Sequence, residues 1–480
     1  MGDTRPRKRK FAPRSRQGCL TCRVRRKRCD GQHPECQNCI RLNMKCEWQT
    51  QRQVVPEANT NTTPVSPTTT THVREKTPAT PSDSTPIGAA LFPWDIFSGD
   101  EANEKAHLLN YYIEEFVPRI SIATTPSSFY TKLYIPMAME FEGVLDAVLA
   151  MSSAQLARRT ANPDRAKHLR ALSSRHQSKC HVYIRDRISP SGEPLTDIYQ
   201  VMAVILLLVG LEALNGMKDT KWVSQLNCVR KILNTLYADQ ANWGSWELEA
   251  VRRHFTYHDV MASVMAGVTT MGSQGLSNRD SPHLFTAAPS LTIDPLMGLS
   301  YQLCGWICRI QYVTPSNPAF PMISEAAFAA IEREIQQWQY ESPISAPGVD
   351  LPVALDLIAL AEAFRLAALI HLYRKSDSHK ILIPSCASRA MEFISRIPPG
   401  SSADSSLLYP IFLAGAELDS ETDIGSCSQR LTAIQARNLY ENVGNVHKVL
   451  QEVWRPVLNG EERRDWEDVL REWGWTLSLS

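Results

Sequence analysis

The chain has 480 residues, 43% of them hydrophobic and 21% charged, with a formal net charge of +1 at pH 7, which leaves room for two or three domains and a large core. The near-neutral total hides an asymmetry: residues 1–50 hold 14 Lys and Arg against 4 Asp and Glu, and residues 51–480 hold 37 against 46. A polyanion is therefore the expected partner of the N-terminus, and no membrane span is expected, because the most apolar run, Val201–Leu211, ends at Glu212, far short of the ~20 residues of a span.

Residues 1–18 carry seven Arg or Lys and two Pro with little apolar content. That composition predicts a disordered basic arm that adds affinity without sequence information. The run Arg5-Pro-Arg-Lys-Arg-Lys10 leads into Phe11-Ala-Pro-Arg14 and not into an apolar segment, so no secretory leader is expected and the thiols downstream are expected to be reduced. The same run and Arg23–Arg28 also have the composition of nuclear import signals.

Residues 19–50 contain six of the 12 cysteines: Cys19, Cys22, Cys29, Cys36, Cys39 and Cys46. They follow the pattern C-x2-C-x6-C-x6-C-x2-C-x6-C, two like halves joined by six residues. A C-x2-C pair at the start of a helix presents two thiolates to one small cation, and a third cysteine seven residues on returns near it after about two turns. Each half then offers three sulfurs where tetrahedral zinc takes four. Two zinc ions that share two bridging thiolates satisfy the count. Two Zn2+ and six thiolates carry a net charge of −2, which suits the basic residues between the sulfurs, Arg23, Arg25, Arg26, Lys27 and Arg28. The rival reading, a disulfide framework, needs an oxidising compartment. Short helices are predicted over Leu20–Arg28 and Gln37–Met44.

The six cysteines and the basic loop resemble the fungal binuclear zinc cluster (Zn2Cys6) DNA-binding domain. The resemblance implies that the first and fourth cysteines, Cys19 and Cys36, bridge the two ions, and it accounts for Pro34, two residues before the fourth cysteine. It also implies that Arg25 and Arg26 enter the major groove of double-stranded DNA at a CGG triplet. Lysine is common at such places; the planar fork of arginine can engage both O6 and N7 of guanine. Phosphate contact is the alternative for either arginine, and Arg23, Lys27, Arg28, Arg41 and Lys45 are read as phosphate contacts or solvated charge.

Residues 51–90 change character, with ten Thr, six Pro and three Ser in 40 residues, and are expected to form a disordered linker. Five Thr-Pro or Ser-Pro pairs, at Thr63, Ser66, Thr77, Thr80 and Thr85, fit proline-directed phosphorylation, and plain solvation explains them equally. Many relatives of the resembled family carry a dimerising heptad segment next. Here the first periodic stretch, with Leu108, Leu109, Tyr112 and Phe116, is expected to stop at Pro118, too short for a coiled coil. A homodimer would have to come from the large domain; the alternative is monomeric binding to one half-site.

From residue 91 to 480 the pattern predicts helix after helix, an all-α domain: Glu101–Val117, Phe141–Arg159, Arg165–Arg185, Thr196–Asn215, Lys221–Tyr237, Trp246–Val268, Pro295–Tyr312, Ser324–Tyr340, Leu351–Arg374, Ser385–Arg396 and Ser428–Leu450. Three stretches, His258–Val264, Asp294–Ser300 and Ala361–Arg374, resemble the fungal-specific transcription factor regulatory domain. That likeness implies regulation, contact with transcriptional coregulators and response to a small molecule. His254 and His258, four apart, have metal-compatible spacing, but Phe255 stands where a zinc protease motif needs Glu, so a structural role is expected. Cys304 and Cys308 are read as buried core cysteines. Trp466, Leu470 and Trp473 fit the inner face of an amphipathic helix, the alternative being an acidic activation segment. No phosphate loop or nucleophile elbow is present in the sequence, and no enzyme activity is expected.

The reading is a nuclear fungal transcription factor for RNA polymerase II. A Zn2Cys6 domain at 19–50 addresses it to CGG-like half-sites, and the domain at 91–480 regulates a metabolic or biosynthetic gene set. The alternative is a ligand-responsive repressor or sensor whose helical domain binds a metabolite.

Overall fold

The computed structural model describes residues 19, 29–32, 36–40, 101–122, 130–189, 198–238, 246–266, 293–310, 324–346 and 349–480. The chain divides into two units, Met1–Thr85 and Pro86–Ser480. The arm at 1–18, the linker at 51–90, the helix expected over Leu20–Arg28, Cys22, Cys46 and the basic residues Arg23, Arg25, Arg26, Lys27 and Arg28 lie outside the described residues.

In the first unit the described regular structure is one helical turn, α1 (Gln37–Ile40). In the second, all described regular elements are helical, and the described β-type pairing is an isolated bridge between Asp294 and Gly298.

The first half of the helical unit is organised by a hairpin of α5 (Glu142–Arg159) and α6 (Pro163–Arg185). Asn162 starts α6 by accepting the amides of Asp164 and Arg165, with Pro163 at the first helical position, where a missing N–H costs nothing. Ser173 Oγ donates to the Ala150 carbonyl (2.8 Å), His176 Nδ1 meets Asp146 Oδ1 (2.6 Å), and Cys180 Sγ lies 3.7 Å from the Gly143 carbonyl. Rising numbers on α6 meet falling numbers on α5, so the pair is antiparallel. Small residues on α5 permit this close approach; a Cβ on Gly143 would fall inside van der Waals contact of the Tyr183 ring.

Helix α7 (Ile198–Asn215) is long and apolar enough to cross a membrane by length and composition, although the run Val201–Leu211 alone is not. Here its Val201–Val209 stretch is fully buried among protein. It packs against α5, α6, α8 (Lys221–Ala238), α9 (Trp246–Ala266) and α16 (Glu441–Trp454). Each Val, Leu or Ile buried in this way contributes about 1.5–3 kcal/mol, so α7 is a main source of the unit's stability.

The second half is built around α12 (Leu351–Tyr373), which packs on α10 (Leu303–Ile310), α11 (Glu325–Gln336), α13 (Ile383–Arg396) and α14 (Leu408–Gly415). All of α14 is buried. The last helix, α17 (Trp466–Trp473), buries Trp466 and Leu470 as the amphipathic reading requires and leaves Trp473 half-buried, with Trp466 edge-on to Phe412 at 5.1 Å. After it Leu477 and Leu479 are buried, the Thr476 amide donates to the Lys218 carbonyl (2.8 Å), and Asn442 Nδ2 donates to main-chain oxygens of Ser478 (3.1 Å) and Ser480 (2.9 Å).

Three expected boundaries change. The first helix does not stop at Pro118: α2 (Glu101–Tyr111) runs through a π-helical segment, Tyr112–Phe116, into α3 (Val117–Ile120), where Pro118 sits in the first turn and its missing N–H is not needed. Pro295 begins no helix, because Asp294 Oδ1 accepts the Leu296 and Met297 amides and closes a tight loop at Gly298 (φ +59°). The single helix expected over Ser428–Leu450 is two, α15 (Glu421–Asn438) and α16, broken at Leu439 in a left-handed conformation (φ 63°). Helices α4 (Ile135–Glu140) and α14 were not expected; each carries a proline in its first turn, and α14 is apolar on all sides and so lacks period.

Gly143→Ala is expected to lower stability by about 1–3 kcal/mol in urea denaturation, and adding Tyr183→Ala is expected to recover part of that loss because the clash partner is removed.

Candidate metal centre and nucleic-acid interface

The described part of the centre consists of a loop and one turn of helix. The amides of Cys39 and Ile40 donate to the Cys36 carbonyl (2.9 and 3.1 Å), which sets the two sulfurs of this C-x2-C pair on one side of α1. Asp30 Oδ2 accepts the Gln37 amide (2.9 Å) and so caps the turn from seven residues upstream. Gly31 makes that reach possible with φ +76°, a left-handed conformation that glycine adopts without strain. The Cys19 amide donates to Cys29 Sγ (3.4 Å).

Cys19, Cys36 and Cys39 are buried and Cys29 is half-buried. Cys19 Sγ lies 3.7 Å from Cys36 Sγ and 3.8 Å from Cys39 Sγ, and the three sulfurs are all within 4.8 Å of one another. Sulfurs placed tetrahedrally about 2.3 Å from a zinc ion are about 3.8 Å apart, whereas a disulfide brings them to about 2.0 Å. The spacing fits zinc, and none of the four described cysteines is bridged. A second group, Cys29, Asp30 and Cys36, also has its donor atoms within 4.8 Å of one another. Cys36 is the sulfur common to both groups. Asp30 is the residue that the cysteine pattern does not flag; the local signal is an acidic residue beside Cys29 and ahead of a glycine.

The other sequence candidates sit in the helical unit and have different chemistry. His254 and His258 meet Nε2 to Nε2 at 3.1 Å inside α9, with Tyr134 Oη on His254 Nδ1. Burial pulls His254 well below its ordinary value, with His258 adding to the effect, and takes His258 down to about 3, so both rings are neutral at physiological pH. Among the described residues no third donor joins them in a metal-sized group. Cys304 Sγ contacts Met297 Sδ (3.2 Å), and burial pushes its thiol well above the ordinary range, as expected of an inert core cysteine. It forms no disulfide with Cys308.

Residues 17–54 match the fungal Zn(2)-Cys(6) binuclear cluster domain, and residues 107–480 match the fungal specific transcription factor domain. The chain is 20% identical to the transcriptional activator protein UGA3 of Saccharomyces cerevisiae, over 97% of this chain and 98% of that one. It is 23% identical to the acriflavine sensitivity control protein acr-2 of Neurospora crassa, over 67% of this chain and 57% of that one. A 35-residue stretch, 7% of this chain and 9% of the other, is 57% identical to the zinc cluster transcription factor CZF1 of Candida albicans. No solved structure matches. Because the regulatory-domain match spans most of the chain and follows a cluster domain of the type that binds two zinc ions, the protein belongs to the fungal zinc cluster transcription factor family.

Proposed function

We propose that the protein is a nuclear, sequence-specific regulator of RNA polymerase II transcription that binds CGG-like half-sites and controls a metabolic or biosynthetic gene set. In this reading Cys19, Cys22, Cys29, Cys36, Cys39 and Cys46 hold the two zinc ions, with Cys19 and Cys36 as the shared thiolates. The observation that carries it is the sulfur spacing of 3.7 and 3.8 Å around Cys19 together with the membership of Cys36 in both donor groups. Arg25 and Arg26 read guanine, and Arg23, Lys27 and Arg28 hold phosphates. The excess of basic residues over 1–50 supplies the non-specific part of the affinity, which falls steeply with salt. Residues 19–50 form the DNA-binding domain, 51–90 the linker and 91–480 the regulatory domain, which contacts coregulators and, where the protein dimerises, provides the interface. The likeness to a yeast activator over nearly the whole chain favours activation.

The test is a selection from random duplex DNA with purified full-length protein at stated salt. Enrichment of a CGG-like triplet supports the reading; two triplets at fixed spacing indicate a homodimer, one triplet a monomer, and no enriched motif rejects it. Arg26→Ala is expected to retain zinc and lose about 1–3 kcal/mol of discrimination at one base pair, read as a flattened preference in competition binding. Metal analysis is expected to find two zinc ions per wild-type chain. Cys36→Ala, which removes the shared sulfur, is expected to lose both ions and all specific binding, and retention of one ion at full occupancy would contradict the sharing.

A further inference from the structure

The helical unit holds a cavity of about 60 Å³ bordered by α5, α7, α9, α15 and α16. A water needs roughly 10–15 Å³ on this measure, so the space takes about four to six waters or one molecule of similar atom count. Its apolar wall includes Met151, Leu206, Leu207, Ile434 and Val443. Set into that wall are two buried polar atoms with no hydrogen-bond partner among the described residues, His258 Nδ1 and Asn442 Oδ1, and a third, Arg119 Nε, belongs to a residue at its edge. Buried groups of this kind are costly and seldom left unsatisfied.

Neither orphan can relieve itself by turning over. Asn442 is fixed by its Nδ2, which already donates to main-chain oxygens of Ser478 and Ser480. His258 is fixed by its Nε2, which faces His254 Nε2, while Tyr134 holds the far side of His254. One of the two facing nitrogens must carry the proton. If it is His254, neutral His258 offers an N–H at Nδ1; if it is His258, Nδ1 offers a lone pair. Reversing the Tyr134–His254–His258 chain therefore lets His258 meet either a donor or an acceptor.

The site favours an uncharged occupant. Burial keeps both imidazoles neutral and raises the phenols of Tyr257 and Tyr440, which also border the space, so none of these groups supplies a counter-charge near pH 7. The charged groups at its edge have partners: Arg119 Nη2 donates to Glu115 (2.8 Å) while its Nε has none among the described residues, Asp404 meets Arg430 and the Gly400 amide, and a main-chain oxygen of Ser480 accepts from Asn442 Nδ2 (2.9 Å).

We propose that this cavity is a binding site for a small uncharged molecule of about four to six heavy atoms, carrying a hydroxyl or amide that satisfies His258 Nδ1 and Asn442 Oδ1. The proposal does not rest on the DNA-binding reading, since its readout is the stability of the helical unit. Bound there, the molecule joins α7 and α9 to α15 and α16, which makes occupancy a means of regulating the domain.

The test uses full-length, zinc-loaded protein and size-matched probes: butyramide and 1-pentanol, uncharged, against butyrate and butylammonium. The uncharged probes are expected to raise the melting temperature saturably by about 2 °C or more, and the charged ones are not. Hydrogen exchange with butyramide is expected to show added protection at 254–258 and 438–443. Leu207→Phe, which fills the space, is expected to abolish the shift; if that variant does not fold, the wild-type comparison of probes and the exchange map decide. No saturable shift with either uncharged probe, an equal shift with a charged one, or protection confined to other helices overturns the proposal.

Discussion

Three thiolates held within 4.8 Å of one another repel strongly, and a divalent cation between them turns that crowding into attraction. The described part of the first unit depends on this exchange, because its buried core consists of Cys19, Cys36 and Cys39 with Cys29 packed against them. A domain of about 35 residues buries too little apolar surface to fold unaided, so metal replaces the hydrophobic core. Metal binding and fold are thus one property of the small domain.

The helical unit lies at the opposite limit. Its core is large and apolar, and several of its buried charges are paired. Glu104 is pushed up by burial, but Arg165 (2.6 Å) and His168 (3.1 Å) outweigh that and hold its carboxyl below the usual range. Asp404 meets Arg430, and Asp146 meets His176 at 2.6 Å. Such pairs add little net stability over apolar residues, yet losing one partner costs several kcal/mol, so they fix which helices can lie together. Other buried polar atoms also lack a partner among the described residues, Tyr112 Oη and Trp222 Nε1 among them; those of His258 and Asn442 are set apart by lining one cavity.

The zinc cluster domain was readable in the sequence because its cysteines lie within one short segment, where spacing alone limits geometry. Long helices such as α5, α7 and α12 were readable from period and from the clusters of Gly, Pro and Ser around them. Two kinds of feature were not. Local backbone chemistry moved boundaries without altering hydrophobic pattern: the loop closed by Asp294, the π-helical passage ahead of Pro118 and the left-handed break at Leu439. The cavity was hidden for another reason, since Tyr134 and His254 are 120 residues apart and Asn442 lies on yet another helix. No window of sequence contains that meeting.

Arg374 shows how the end of the chain is tied to its middle. At the close of α12 its guanidinium donates to Glu417 (2.7 Å) and to both carboxylate oxygens of Asp465 (2.9 and 2.7 Å), and it lies over the Trp466 ring. Glu417 is in turn held by Arg463 (2.6 Å). A premature stop codon before residue 463 would therefore strip two partners from a largely buried cation and one from a buried anion, and would also uncover the apolar groups beneath α17. Nonsense alleles in this late stretch should behave as losses of the whole regulatory domain, degraded as misfolded protein, and not as a shortened but working regulator.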